Sequence, residues 1–169
     1  MTRVFVLDDH DVVRRGLKEL LEDSGDIEVV GEAGTAVEGR AEIPLAEPDV
    51  AVLDVRLSDG SGVEVCREIC SRHPEIKCVM FSAFDDEVAI VESILAGASG
   101  YVLKQIKGGD IVNAVRMVAS GESLFEPALR GRVLDDAART STARRARRAA
   151  VAPAAVAPAT VTLPGRGRD

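Results

Sequence analysis

The sequence predicts an α/β domain built on a parallel sheet, and three observations predict it. Up to about residue 122, short β-branched apolar runs alternate with amphipathic stretches, the pattern of successive βα units. Several of the runs are apolar on consecutive residues, as strands covered on both faces must be. Gly25, Gly97 and Gly121 each follow an amphipathic stretch, where a residue tolerant of left-handed geometry can end a helix. A chain of 169 residues has length for one ordinary core and an appendage.

The strands are expected at Arg3 to Asp8, Ile27 to Glu32, Val50 to Asp54, Lys77 to Ser82 and Gly100 to Leu103. Between and after them, helices are expected at 11–23, 35–46, 62–72, 86–96 and 108–120. The first carries Val13, Leu17, Leu20 and Leu21 on one face, and Asp86 and Asp110 stand near helix starts as caps. After Phe125-Glu126-Pro127, residues 128–138 have the makings of a helical turn or two. The organisation read from this is a domain over 1–122, a linker or short helix over 123–139 and a tail over 140–169. That tail is Ala, Arg, Pro and Thr with almost no large apolar side chain, so it cannot bury enough surface to offset chain entropy and is expected to be disordered.

The formal charge of −7 hides an asymmetry. From residue 137 on the balance is +6, whereas residues 1–136 carry −13, which disfavours a nucleic-acid interface on the main domain. No apolar run approaches the roughly 20 residues that cross a bilayer, and no basic region with a cleavage site opens the chain, so the expected compartment is cytoplasmic with no membrane partner. Cys66, Cys70 and Cys78 are an odd set without a secretory signal and read as buried thiols. Cys66 and Cys70 share a helical face, but no further soft ligand stands nearby in the sequence.

In an open parallel sheet, ligands gather beyond the carboxyl ends of the strands. Strand one ends in Asp8-Asp9, strand three in Asp54 and strand four in Ser82, and strand five is followed by Lys104. Crowded carboxylates raise one another's pKa unless a cation neutralises them, and an all-oxygen set suits Mg²⁺ better than Zn²⁺. An ammonium such as Lys104 pairs with a phosphoryl oxygen, and the Ser82 hydroxyl can donate to another. The parts describe phosphoryl transfer, with Asp54 as nucleophile and Asp8 and Asp9 holding metal directly or through water.

These residues, with Leu53-Asp54-Val55-Arg56-Leu57, Gly60, Gly62, Ser82-Ala83 and Ala96-Gly97-Ala98-Ser99-Gly100-Tyr101-Val102-Leu103-Lys104, resemble a two-component response regulator receiver domain over residues 3 to 122. Asp8-Asp9-His10, Val12-Val13-Arg14-Arg15-Gly16-Leu17 and Gly97-Ala98-Ser99-Gly100-Tyr101 are most similar to the NarL/LuxR class. The resemblance implies a flavodoxin-like (βα)5 fold with sheet order 2-1-3-4-5. It also implies that Asp54 accepts phosphate from a sensor histidine kinase, that Asp8, Asp9, Asp54 and the Arg56 backbone carbonyl bind Mg²⁺, and that Lys104 and Ser82 contact the phosphate. Ser82 and Tyr101 would form a switch coupled to helix four, strand five and helix five, with a homodimer on phosphorylation. Such a domain catalyses only its own phosphorylation and dephosphorylation and is not otherwise an enzyme. Ser58 and Gln105 depart from the pattern, each standing where the family usually has proline; Gln105 argues against a cis bond after Lys104.

Other readings compete. His10 reads as flanking the acidic pair, His73 as favouring a helix C-terminus, and Gly60-Ser61-Gly62 lacks the rest of a dinucleotide loop. The class normally carries a DNA-reading helix-turn-helix, yet no amphipathic helix pair follows residue 140, and the abrupt turn to Arg, Ala and Pro is what out-of-frame translation of GC-rich DNA produces. DNA binding is therefore doubtful. An intact transcriptional regulator using its basic tail, with salt-sensitive nonspecific affinity, is one alternative, and a Mg²⁺-dependent aspartyl-phosphate phosphatase is the other.

Overall fold

The main sheet of the computed structural model, which describes residues 1–104 and 108–162, has five parallel strands. They are β1 (Thr2–Leu7), β2 (Ile27–Ala33), β3 (Val50–Asp54), β4 (Lys77–Ser82) and β5 (Gly100–Leu103), ordered β2-β1-β3-β4-β5. The helices are α1 (Asp11–Asp23), α2 (Ala36–Ala46), α3 (Gly62–Arg72), α4 (Glu87–Ala96), α5 (Gly108–Ala119) and α6 (Pro127–Thr162). The expected doubly wound α/β arrangement is thus present, its helices and strands starting and ending within a residue or so of the expected places up to α5.

Side chains alternate across each strand, so one sheet serves two cores. Val4 and Val6 of β1, Val50 and Val52 of β3 and Val79 of β4 pack against Leu17, Leu21, Ile111 and Val115 of α1 and α5. The intervening residues face the other helices: a Cβ at Gly39 of α2 would press on Leu7, and Cys78 of β4 meets Cys70 of α3. Each fully buried aliphatic side chain contributes about 1.5–3 kcal/mol. This two-sided burial is why β3 is buried at all five positions.

Local chemistry sets the helix ends. The Thr35 hydroxyl accepts from Glu38 N at 3.1 Å and donates to Glu38 Oε1 at 3.0 Å, a reciprocal cap on α2. Asp59, on the loop beyond β3, accepts from Ala36 N at 2.7 Å and Val37 N at 3.1 Å, tying that loop to the same helix start. Asp86 caps α4 as expected, accepting from Val88 N and Ala89 N, whereas Asp110 lies in the first turn of α5. Gly25, Gly97 and Gly121 all have positive φ, at 88°, 97° and 97°.

Two features differ from expectation. Arg56–Leu57 pairs antiparallel with Gly60–Ser61 in a small ribbon that no hydrophobic pattern announces, because two-residue strands have no period to read. The helix after Pro127 runs to Thr162, past the short stretch expected over 128–138. The physical reason is that Ala and Arg favour helical backbone whether or not a core is available, so composition that argues against packing does not argue against a helix. By contacts the chain forms two units, Met1–Arg130 and Gly131–Asp169, dividing within the stretch read as a linker. Residue Gln105 and tail residues 163–169 lie outside the described residues; no cis peptide bond occurs among the described ones. Among the described residues no helix is long and apolar enough to cross a membrane.

One exposed pairing closes the first unit across the sequence. Arg116 of α5 donates through Nε and Nη2 to both oxygens of Asp26 in the α1–β2 turn, each at 2.9 Å. Hydrogen bonds from Arg116 and then from Ser24 hold the Asp26 carboxyl down from 3.8 to about 2. Since the folded value lies below the ordinary one, the pairing adds stability above 3.8 and loses it as pH falls toward 2. Arg116→Ala is therefore expected to lower the Tm at neutral pH, with the difference from wild type vanishing as melts are repeated down to about pH 2.

Candidate functional site

The register of the central strands builds the site. Val4 to Leu7 pair with Val50 to Leu53, so the residues that follow, Asp8 and Asp54, emerge side by side at the carboxyl rim of the sheet. Asp54 pairs with Phe81 of β4, and Ser82 pairs with Leu103 of β5, so Ser82 and Lys104 come out on the same rim. The peptide N–H of Lys104 donates to the Ser82 carbonyl at 2.7 Å, anchoring the lysine where the sheet ends.

The Lys104 ammonium lies 2.8 Å from Asp8 Oδ2 and 3.1 Å from Asp54 Oδ2. The contact with Asp54 is a hydrogen bond donated by the lysine, and the contact with Asp8 is an ion pair. Asp8 and Asp54 are buried, at 1% and 5% exposure, so this pairing acts in a medium where charge is costly. Burial raises the Asp54 pKa above the ordinary 3.8, the Asp8 charge raises it further, and Lys104 together with the Arg56 peptide N–H only partly offset this. Burial alone would depress the Lys104 ammonium, but Asp8 and Asp54 carry it above its ordinary value. The lysine is therefore locked as a cation between two carboxylates.

Asp9 and His10 complete the cluster. Ligand-capable atoms of Asp8, Asp9, His10 and Asp54 all lie within 4.8 Å of one another. His10 Nδ1 stands 3.0 Å from Asp9 Oδ1 and 3.4 Å from Asp8 Oδ1, with the ring mostly exposed. Asp8 Oδ2 and Asp9 Oδ1 are buried with no hydrogen-bond partner. Buried carboxylate oxygens of Asp8, Asp9 and Asp54, clustered with two of them lacking a hydrogen-bond partner, are typical of a site for a hard, oxygen-preferring divalent cation such as Mg²⁺.

Surrounding residues hold these groups in place. Arg14 Nη1 donates to the Asp8 carbonyl at 2.6 Å, while its other nitrogens pair with Glu32 and Asp11. A Cβ at Gly62 would run into the Asp54 carbonyl oxygen, so only glycine lets α3 start this close to the site. Ser82 is buried, and its Oγ accepts from Phe84 N at 3.0 Å. The half-buried Tyr101 donates its hydroxyl to the Phe84 carbonyl at 2.7 Å. The Arg56 guanidinium lies 4.2 Å from the centre of the Phe84 ring and 3.8 Å from Asp86.

The structure thus gathers Asp8, Asp9, Asp54 and Lys104 at one point, and links Ser82, Tyr101 and Arg56 through Phe84 beside it. Sequence reasoning missed Phe84 and the buttressing part of Arg14, neither of which has a spacing that announces it. It set His10 only beside the acidic pair, whereas the ring nitrogen stands within the cluster. The Asp54 shift has a consequence for stability. A carboxyl whose folded pKa is raised stabilises the fold below its unfolded pKa and loses that contribution as pH rises through the folded value. In metal-free buffer, Asp54→Asn is therefore expected to raise the Tm at neutral pH, with the gain disappearing below 3.8 in thermal melts across pH.

Comparison with known proteins agrees with this geometry. The response regulator receiver domain family matches residues 4–116. The chain is similar to the DNA-binding transcriptional activator DevR/DosR of Mycobacterium tuberculosis, 51% identical over 126 residues, covering 75% of this chain and 58% of that protein. It is also similar to the response regulator protein VraR of Staphylococcus aureus, 37% identical over 125 residues, covering 74% of this chain and 60% of that protein. The match therefore spans well under two thirds of either relative. Among solved structures, the signal receiver domain of NarL from Mycobacterium tuberculosis superposes with a TM-score of 0.69 at 34% identity, covering 72% of this chain and 98% of that one. A LuxR-family two-component response regulator from Aurantimonas sp. SI85-9A1 superposes at 0.71 with 27% identity, covering 82% of this chain and 99% of that one. Among the described residues, a single helix, α6, and no helix-turn-helix follows α5. With its sheet order, its carboxylate rim and these relatives, the chain belongs to the response regulator receiver domain family, in its NarL/LuxR class.

Proposed function

We propose that the domain over residues 1–122 is a phosphorylation switch in which Asp54 accepts a phosphoryl group from a sensor histidine kinase. The observation that carries this reading is the Lys104 ammonium lodged against Asp8 and Asp54, in a cluster where buried Asp8 Oδ2 and Asp9 Oδ1 have no hydrogen-bond partner. An Asp54 oxygen attacks phosphorus, the bond from phosphorus to the kinase imidazole nitrogen breaks, and the imidazole leaves. Lys104, freed from part of its contact with Asp54, pairs with a phosphoryl oxygen, and the Ser82 hydroxyl donates to another. Asp8, Asp9, Asp54 and the Arg56 backbone carbonyl are the groups that would hold Mg²⁺, which when bound screens the negative charge of nucleophile and phosphate.

The same reading gives Phe84 a role. If Ser82 turns its hydroxyl toward the phosphoryl group, Phe84 N loses its acceptor, and the loop that also anchors Tyr101 is released. Tyr101 then reorients at the surface formed by α4, β5 and α5, which changes partner preference and favours a homodimer. Residues 123–139 link this switch to the basic tail over 140–169, and the output we propose is transcription regulation.

Acetyl phosphate serves as a kinase-free donor in the test. With Mg²⁺, intact-mass spectrometry is expected to find one phosphoryl adduct, absent in Asp54→Asn and in chelator, with a higher Mg²⁺ requirement in Asp9→Asn. Lys104→Ala should slow labelling by about 10²-fold, the scale of losing one preorganised electrostatic group. Labelling that persists in Asp54→Asn would remove the assignment. Light scattering with and without the donor reads the dimer, whose mass should rise only in the labelled protein.

A further inference from the structure

At the opposite end of the sheet from the carboxylates, three thiols converge. Cys66 and Cys70 lie one turn apart on α3, and Cys78 is the second residue of β4. Cys66 and Cys78 are fully buried and Cys70 half-buried. The Sγ atoms of Cys66 and Cys70 are 3.9 Å apart, those of Cys70 and Cys78 are 3.7 Å apart, and all three lie within 4.8 Å of one another. A disulfide would use two of these sulfurs and leave the third, whereas three sulfurs gathered this closely suit a shared partner. With metal–sulfur bonds of about 2.3 Å, sulfurs around one ion stand about 4.0 Å apart in a trigonal plane and about 3.8 Å apart in a tetrahedron.

We propose that Cys66, Cys70 and Cys78 form a binding site for one thiophilic closed-shell cation, Cu(I) or Zn²⁺. Soft thiolates select these ions over Mg²⁺. An open cavity of about 390 Å³ has Cys70, Lys77, Gly97 and Ser99 in its wall, giving a path from solvent to the half-buried member of the cluster. The Gly97 carbonyl lies 3.5 Å from the same sulfur, because Gly97 brings the α4–β5 turn against Cys70. Each thiol that becomes a ligand releases its proton to solvent. Lys77 and Arg67 stand near enough to offset the negative charge left on the complex. A bound ion would tie α3 to β4 beside the turn that leads into β5, away from the phosphorylation rim.

The test uses the full chain, reduced and stripped of metal under anaerobic conditions, with excess Mg²⁺ to occupy the carboxylates. It is titrated with Cu(I) against a chromophoric Cu(I) chelator and separately with Zn²⁺ against a chromophoric Zn²⁺ indicator. One equivalent of either ion is expected to bind and to protect all three cysteines from alkylation, with thiolate-to-metal charge-transfer absorption in the Cu(I) arm. Cys70→Ser and Cys70→Ala, at the half-buried position, should weaken binding at least ~100-fold, beyond what loss of an outer-shell partner costs. Circular dichroism checks their fold, and acetyl phosphate labelling should be unchanged. Absence of one-equivalent binding, unprotected thiols in the wild type, or unaltered affinity in both Cys70 variants would overturn the proposal.

Discussion

The Lys104 ammonium between the Asp8 and Asp54 carboxylates is the interaction on which the rest of the rim depends. Two carboxylates buried this deeply beside one another would repel, and burial already lifts the Asp54 pKa. The lysine makes the pair tolerable without satisfying it, since Asp8 Oδ2 and Asp9 Oδ1 still lack hydrogen-bond partners. A site balanced in this way is poised for further positive charge and, with that supplied, for a dianionic group. Stability has been given up at the rim to keep it receptive.

What makes this arrangement affordable is the two-sided burial of the strands beneath it. A buried β3 paired with β1 and β4 cannot slip, because a shift of one residue would turn every valine to the wrong core. The register therefore delivers Asp8 and Asp54 as neighbours, and Gly62 and Arg14 hold the backbone on either side. The sheet supplies rigidity while the loops carry the groups that can move. Phe84 is the junction of the loop beyond β4, because Ser82 and Tyr101 both bond its backbone and Arg56 covers its ring.

The other end of the sheet shows a different use of the same framework. There the converging side chains are sulfur rather than oxygen, gathered by α3 and β4 instead of by strand ends. The two clusters differ in hardness, so they select different ions even if both are exposed to the same solution.

The strands, the helices through α5 and the placement of Asp8, Asp9, Asp54, Ser82 and Lys104 at the strand ends were legible in the sequence. Apolar periodicity follows burial, and strand-end position follows from periodicity. The full length of α6 was not, because its composition speaks to packing and its helical backbone needs none. Nor was the convergence of Phe84 with Tyr101, or of Cys78 with Cys66 and Cys70, since residues brought together by folding leave no mark in spacing along the chain. The amino-acid order alone determined which groups reach the rim; the tertiary structure decided which touch, because contact depends on register, loop path and rotamer.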